Sequence, residues 1–106
     1  MIITTADQIP GKRITGTVGL VRGNTIRARH LGRDIMAGLK SLVGGEIHDY
    51  TKLMAESREQ SIDRMKDEAQ RLGANAIIGA RFTTSVLMGG AAELLAYGTA
   101  VSVEEI

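Results

Sequence analysis

The stretch from Gly44 to Gly79, GGEIHDYTKLMAESREQSIDRMKDEAQRLGANAIIG, constrains this chain more than any other. Ile47, Tyr50, Met54, Ser61, Ile62, Met65, Ala69 and Leu72 recur mostly at three- and four-residue steps, which gathers them on one face of an α-helix. Gly73 supplies the left-handed residue that closes a helix, and Arg71 in the last turn meets the negative end of the dipole. Glu46 and Asp49 stand at the opposite end, where the dipole favours carboxylates. The helix then runs directly into an apolar strand. About 25 helical residues span roughly 37 Å, longer than a three-stranded sheet is wide.

The flanks predict that sheet. Ile2 to Thr5 is a short β-prone piece, followed by a turn around Pro10-Gly11. Arg13 to about Ala28 reads as the first long strand, with Ile14, Val18 and Leu20 on one face and Thr15, Thr17 and Val21 on the other. Gly16, Gly19 and Gly23 predict bulges, bends or close backbone approach; alternatively, Gly23-Asn24 is a tight turn that splits the strand. Residues 33–43 read as a short helix with Ile35, Met36, Leu39, Leu42 and Val43 on one side. Gly38 inside it costs about 1 kcal/mol relative to alanine, which points to a close contact with another backbone. Gly44-Gly45 makes the corner between the two helices.

Beyond the long helix, Asn75 to Val86 alternates. Ala76, Ile78, Ala80, Phe82, Thr84 and Val86 take one face, and Ile77, Gly79, Arg81, Thr83 and Ser85 the other. Residues 88–91 read as a turn, Glu93 to Val103 as the returning strand, and Glu104-Glu105-Ile106 as a charged tail. The expectation is an α+β fold in β-α-α-β-β order. It has a curved antiparallel sheet of about three strands, packed by one long and one short helix in a single domain, 1–106. A lone helix covers one face of such a sheet, and a copy of the same chain is the simplest cover for the other.

Composition narrows the chemistry. With no cysteine there is no disulfide framework and no thiolate site, and no apolar run reaches the ~18 residues of a membrane span. The first residues lack the apolar core of a signal peptide, so the expected location is the cytoplasm. Residues 1–45 carry seven basic against two acidic side chains, for +5; residues 46–106 carry six against ten, for −4. The split is either two solvated faces or complementary surfaces on neighbouring subunits.

The pattern Asp34, Ala37-Gly38, Val43-Gly44-Gly45, Tyr50, Arg58, Glu68-Ala69, Leu72-Gly73-Ala74-Asn75-Ala76, Ile78-Gly79 and Gly98-Thr99-Ala100-Val101 resembles the YbjQ family of small bacterial and archaeal proteins. The likeness runs from the Thr15–Val21 strand to Val101. It implies a dodecin-like α+β fold and rings, pentamers or decamers of stacked pentamers. It also brings a heavy-metal-binding label.

The residues themselves support that label weakly. Soft metals prefer thiolates, and the donors at hand are His30, His48, Asp34, Asp49 and helix carboxylates. His48 and Asp49 are the metal candidates, completed by neighbouring subunits. Gly44 and Gly45, preceding the helix, could present amides to a small anion, although Glu46 and Asp49 would compete. Asp34 and Tyr50 flank the same corner; they are ligand candidates there, or a hydrogen-bonded brace between the helices. Arg22, Arg27, Arg29, His30 and Arg33 form a basic cluster without an aromatic side chain for base stacking, which argues against nucleic acid. No nucleophile motif stands out among the serines. The expectation is a non-enzymatic, ring-forming binding or scaffold module with no resident cofactor. The alternative is a metal-ion or small-anion binder with sites between subunits.

Overall fold

The computed structural model describes residues 1–27, 46–86 and 92–106. Five elements follow in chain order: β1 (Ile2–Ile3), β2 (Lys12–Arg27), α1 (Glu46–Arg71), β3 (Ala76–Val86) and β4 (Ala92–Glu105). The strands form one sheet in the order β1-β3-β4-β2. Both β2 and β3 run antiparallel to β4, whereas β1 lies parallel to β3. Helix α1 crosses one face of the sheet, mainly over β2 and β4.

This is the expected α+β class, with two corrections. The sheet has four strands and is mixed, because the short piece at Ile2 joins the edge of β3. That departs from the three-stranded, dodecin-like order. The helix expected at 33–43, with Gly38, lies outside the described residues. Strand β2 is continuous through Gly23-Asn24, so no turn splits it. Glu104 and Glu105 are not a loose tail; they pair with Arg13 and Lys12 across the β2–β4 ribbon, side chains included. These exposed ion pairs add little stability. They do show that part of the basic half meets the acidic half within one chain.

The core is thin. Val21, Met65, Ala69, Ala74, Ile77, Ala96 and Ala100 form the buried cluster, four of the seven being alanines. On the described part of α1 the buried positions are Ser57, Ser61, Met65 and Ala69, one every four residues. Small side chains along this stripe let the helix approach the sheet. At Gly23 the approach is backbone on backbone: a Cβ there would stand 2.2 Å from the Ser61 carbonyl oxygen and 2.3 Å from the Met65 nitrogen.

The serines need partners in such a place, since an unpaired buried hydroxyl costs free energy. Ser61 Oγ donates to the Leu94 carbonyl at 3.0 Å, Thr25 Oγ1 reaches the Ser57 carbonyl at 3.3 Å, and the Thr25 and Ser61 hydroxyls lie 3.2 Å apart. This chain of contacts ties α1 to β2 and β4 at once.

The helix ends as its sequence demands. Gly73 takes φ +86°, its N–H donates to Gln70, and the Ala74 N–H donates to Ala69. These are the two bonds of a Schellman closure, with Ala69 and Ala74 both in the core. Asn75 then fixes the start of β3. Its side-chain nitrogen donates to the Val103 carbonyl at 2.9 Å, and its side-chain oxygen accepts from the Val103 N–H at 2.8 Å. Asn75→Asp should keep the second bond and turn the first into a repulsion between two acceptors. A loss of about 1–2 kcal/mol in chemical denaturation is expected; Asn75→Asp as stable as the parent would contradict this role.

Strand β3 contains the sharpest departure from simple alternation. Its register with β4 shifts between Ile78 and Arg81, at Gly79 with φ +60°. The bulge reverses the phase. Ile77 faces the helix and is fully buried, while Ile78 turns to the other face. The expected grouping, which set Ile77 on the face of Arg81, Thr83 and Ser85, is therefore wrong for Ile77.

Candidate interaction surface

The register fixes which side chains share the sheet face opposite α1. Across β2, β4 and β3 the rows are Asn24–Leu95–Thr83, Arg22–Tyr97–Arg81 and Leu20–Thr99–Ile78, with Ile26 beside Glu93 and Ile14 beside Val103 at the two ends. Leu20 is 65% exposed and Ile26 55%. Ile2 and Ile14 are exposed on the same face, and Ile78, Leu95, Tyr97 and Val103 are half-buried. Ala76 and Val101, paired with each other, are the fully buried positions of this face. No described helix or strand lies over it.

Two bulges in β2 account for the spacing of its apolar residues. Register slips between Ile14 and Gly16 and between Thr17 and Gly19 put Ile14, Thr17 and Leu20 on one face at three-residue steps. Val18 sits in the second bulge. The glycine signals were present, but simple period-two counting paired Val18 with Ile14 and Leu20.

Two recesses flank α1. One, about 150 Å³ and mostly apolar, lies between Ile62, Met65, Ile3, Ala80, Phe82 and Ala96. Phe82, on its rim, is 47% exposed. The other, about 760 Å³ and open, lies along β2 among Arg22, Asn24, Arg64, Asp67, Glu68 and Arg71. Its three guanidiniums are offset by two carboxylates, and Arg64 is committed to the Asn24 carbonyl. Arg81 is likewise committed, donating to the carbonyls of Thr5 and Ala80 at 2.9 Å.

None of the sequence-based metal and ligand candidates has a side chain within the described part of the structure. Asp34, Gly44 and Gly45 lie outside the described residues, as do Arg29, His30 and Arg33. His48, Asp49 and Tyr50 fall in the first turns of α1, with their side chains outside the described part. Among the described residues no group of three or more His, Asp or Glu side chains converges as cation ligands. With no thiolate anywhere in the sequence, the donor set of one chain does not fit a soft heavy metal. Among the described residues, no helix is long and apolar enough to cross a membrane.

Among the described residues, a mixed four-stranded sheet under one long helix, with exposed apolar residues on its far side, defines a small α+β module. The profile of the YbjQ family, described as "Putative heavy-metal-binding", matches residues 1–104, and the chain belongs to that family. It is 56% identical over 103 residues to a UPF0145 protein of Methanosarcina acetivorans, covering 97% of each chain. A UPF0145 protein of Thermotoga maritima is 53% identical over the full length of both. A crystal structure of a protein of unknown function from Pediococcus pentosaceus, assigned to the DUF74 family, superposes with a TM-score of 0.64. It is 19% identical and covers 98% of either chain, a likeness of fold alone.

Proposed function

We propose that the chain works as a ring-forming homo-oligomer, a non-enzymatic binding or scaffold module of the cytoplasm that takes its ligand between subunits. The observation that carries this reading is the outer sheet face, where Leu20 and Ile26 stand more than half exposed in one sheet with Ile2, Ile14 and Ile78. Leu20 and Ile78 share one row and Ile26 stands beyond Arg22 and Asn24, so the apolar exposure is spread over the face, and a second copy is the simplest cover for it. The shape supports it. The radius of gyration is 17.2 Å, against about 13 Å for a chain of this length folded alone. Five-fold symmetry, with decamers of stacked pentamers, is the form the family resemblance suggests.

The second reading is a metal or small-anion site completed by neighbouring subunits, with His48 and Asp49 as the first donors. The family description favours it; the donor chemistry of a single chain does not. Light scattering on a gel-filtered sample, with elemental analysis of the same peak, separates the two. A multiple of 11.3 kDa without stoichiometric metal supports the first reading. A retained metal at one per subunit supports the second.

A further inference from the structure

Helix α1 lies mainly over β2 and β4, which leaves little above the helix-facing side of β3. Phe82 shares that side with its cross-strand partner Ala96, and Ala80 packs against the core beside them. The chain that runs on from β1 through Thr4 and Thr5 stands alongside as a wall. The recess of about 150 Å³ between Ile3, Ile62, Met65, Ala80, Phe82 and Ala96 is the result. Met65 and Ala96 are each 1% exposed, so it reaches down to the core. Two alanines, where larger side chains would close the gap, keep it open.

The polar groups around this recess are already paired. The Ala80 N–H donates to the Thr4 carbonyl at 3.0 Å, and the Gly79 N–H to the Ala6 carbonyl at 2.9 Å. The Ala6 N–H donates to Thr4 Oγ1 at 3.1 Å. Arg81 donates to the carbonyls of Thr5 and Ala80. Among the described residues no buried side-chain nitrogen or oxygen lacks a partner. Water in such a place needs two to four polar partners, whereas an apolar cavity of about 150 Å³ stays dry and takes benzene. Pockets for drug-sized molecules run to about 300–1,000 Å³, so this one has room for a single ring.

We propose that the recess between α1 and β3 is a binding site for one apolar aromatic ring of a small molecule. Two side chains favour an aromatic ring over other apolar groups of that size. The Met65 thioether is polarizable and makes favourable contacts with ring edges. Phe82, half-exposed at the rim, offers a second ring for edge-to-face packing. The site lies within one chain, on the face opposite the one proposed for assembly, and does not rest on that reading.

Titration of the wild-type protein with benzene, followed by methyl NMR, tests this. The methyl signals of Met65, Ile62 and Ile3 should shift saturably, with one benzene per subunit, while those of Leu20 and Ile26 on the outer face stay. Ala80→Leu places a larger side chain in the recess and should weaken binding at least about tenfold, since the leucine takes volume the ring needs. Absence of a saturable shift in the folded wild-type protein would overturn the proposal. So would shifts strongest at Leu20 and Ile26, or equal affinity in Ala80→Leu. Should Ala80→Leu fail to fold, nuclear Overhauser contacts between benzene and the wild-type Met65 methyl decide: their presence supports the site and their absence overturns it.

Discussion

Gly23→Val should be among the most damaging single changes in this protein. The new side chain would have to occupy space already held by the Ser61 carbonyl and the Met65 nitrogen, and backbone cannot swing aside as a flexible side chain can. Either α1 lifts from β2 or β2 bends away. Both open the cluster around Val21 and Met65 and stretch the Thr25–Ser61–Leu94 contacts. Overpacking typically costs 1–3 kcal/mol, and a backbone-on-backbone contact belongs at or above the top of that range, so a loss of about 3 kcal/mol is expected. For a domain of this size that lowers Tm by roughly 12–20 °C. Gly16→Ala is the matched control: nothing lies within 4 Å of its added Cβ, and its φ is not positive. Its Tm should stay within a few degrees. Equal losses in the two variants would show that Gly23 is not a contact point.

The second large effect separates fold from assembly. Ile77 is fully buried under α1, whereas Leu20, on the outer face, is 65% exposed. Ile77→Lys would place an unpaired charge in the core and should cost about 3–5 kcal/mol, enough to unfold a marginal domain. Leu20→Lys should leave the subunit folded. It should weaken association at least tenfold, which corresponds to ~1.4 kcal/mol. The readouts are far-ultraviolet circular dichroism for fold and light scattering for mass. A folded but dissociated Ile77→Lys would mean that the register of β3 is wrong.

The contrast between Ile77 and Leu20 also explains what the sequence could carry. The helix was readable because it obeys two local rules at once, a 3.6-residue apolar period and a Gly73 closure. Its inward face was only partly right. Ser57 is buried although its type gives no apolar signal, and Leu72 is 53% exposed although its phase points inward. The strands were readable as strands, but their faces were not. One bulged residue reverses every side chain beyond it, and Gly79 marked the place without stating the phase. Strand β1 is two residues long, too short for any periodicity, and only its pairing with Ala76 and Ile77 defines it. The candidate surface was foreseeable as a need, since a single helix cannot cover two faces. Its composition depends on register, which is a tertiary property. The corner residues Asp34, Gly44 and Gly45, and the side chains of His48, Asp49 and Tyr50, stand outside what the structure describes.

Assembly through the sheet face that no described helix or strand covers is the claim on which the proposed function rests. Sedimentation of the wild-type protein at micromolar concentration tests it most directly, because mass requires no assumption about the ligand. The account predicts one species near five or ten times 11.3 kDa, whereas a single species at 11.3 kDa would contradict it.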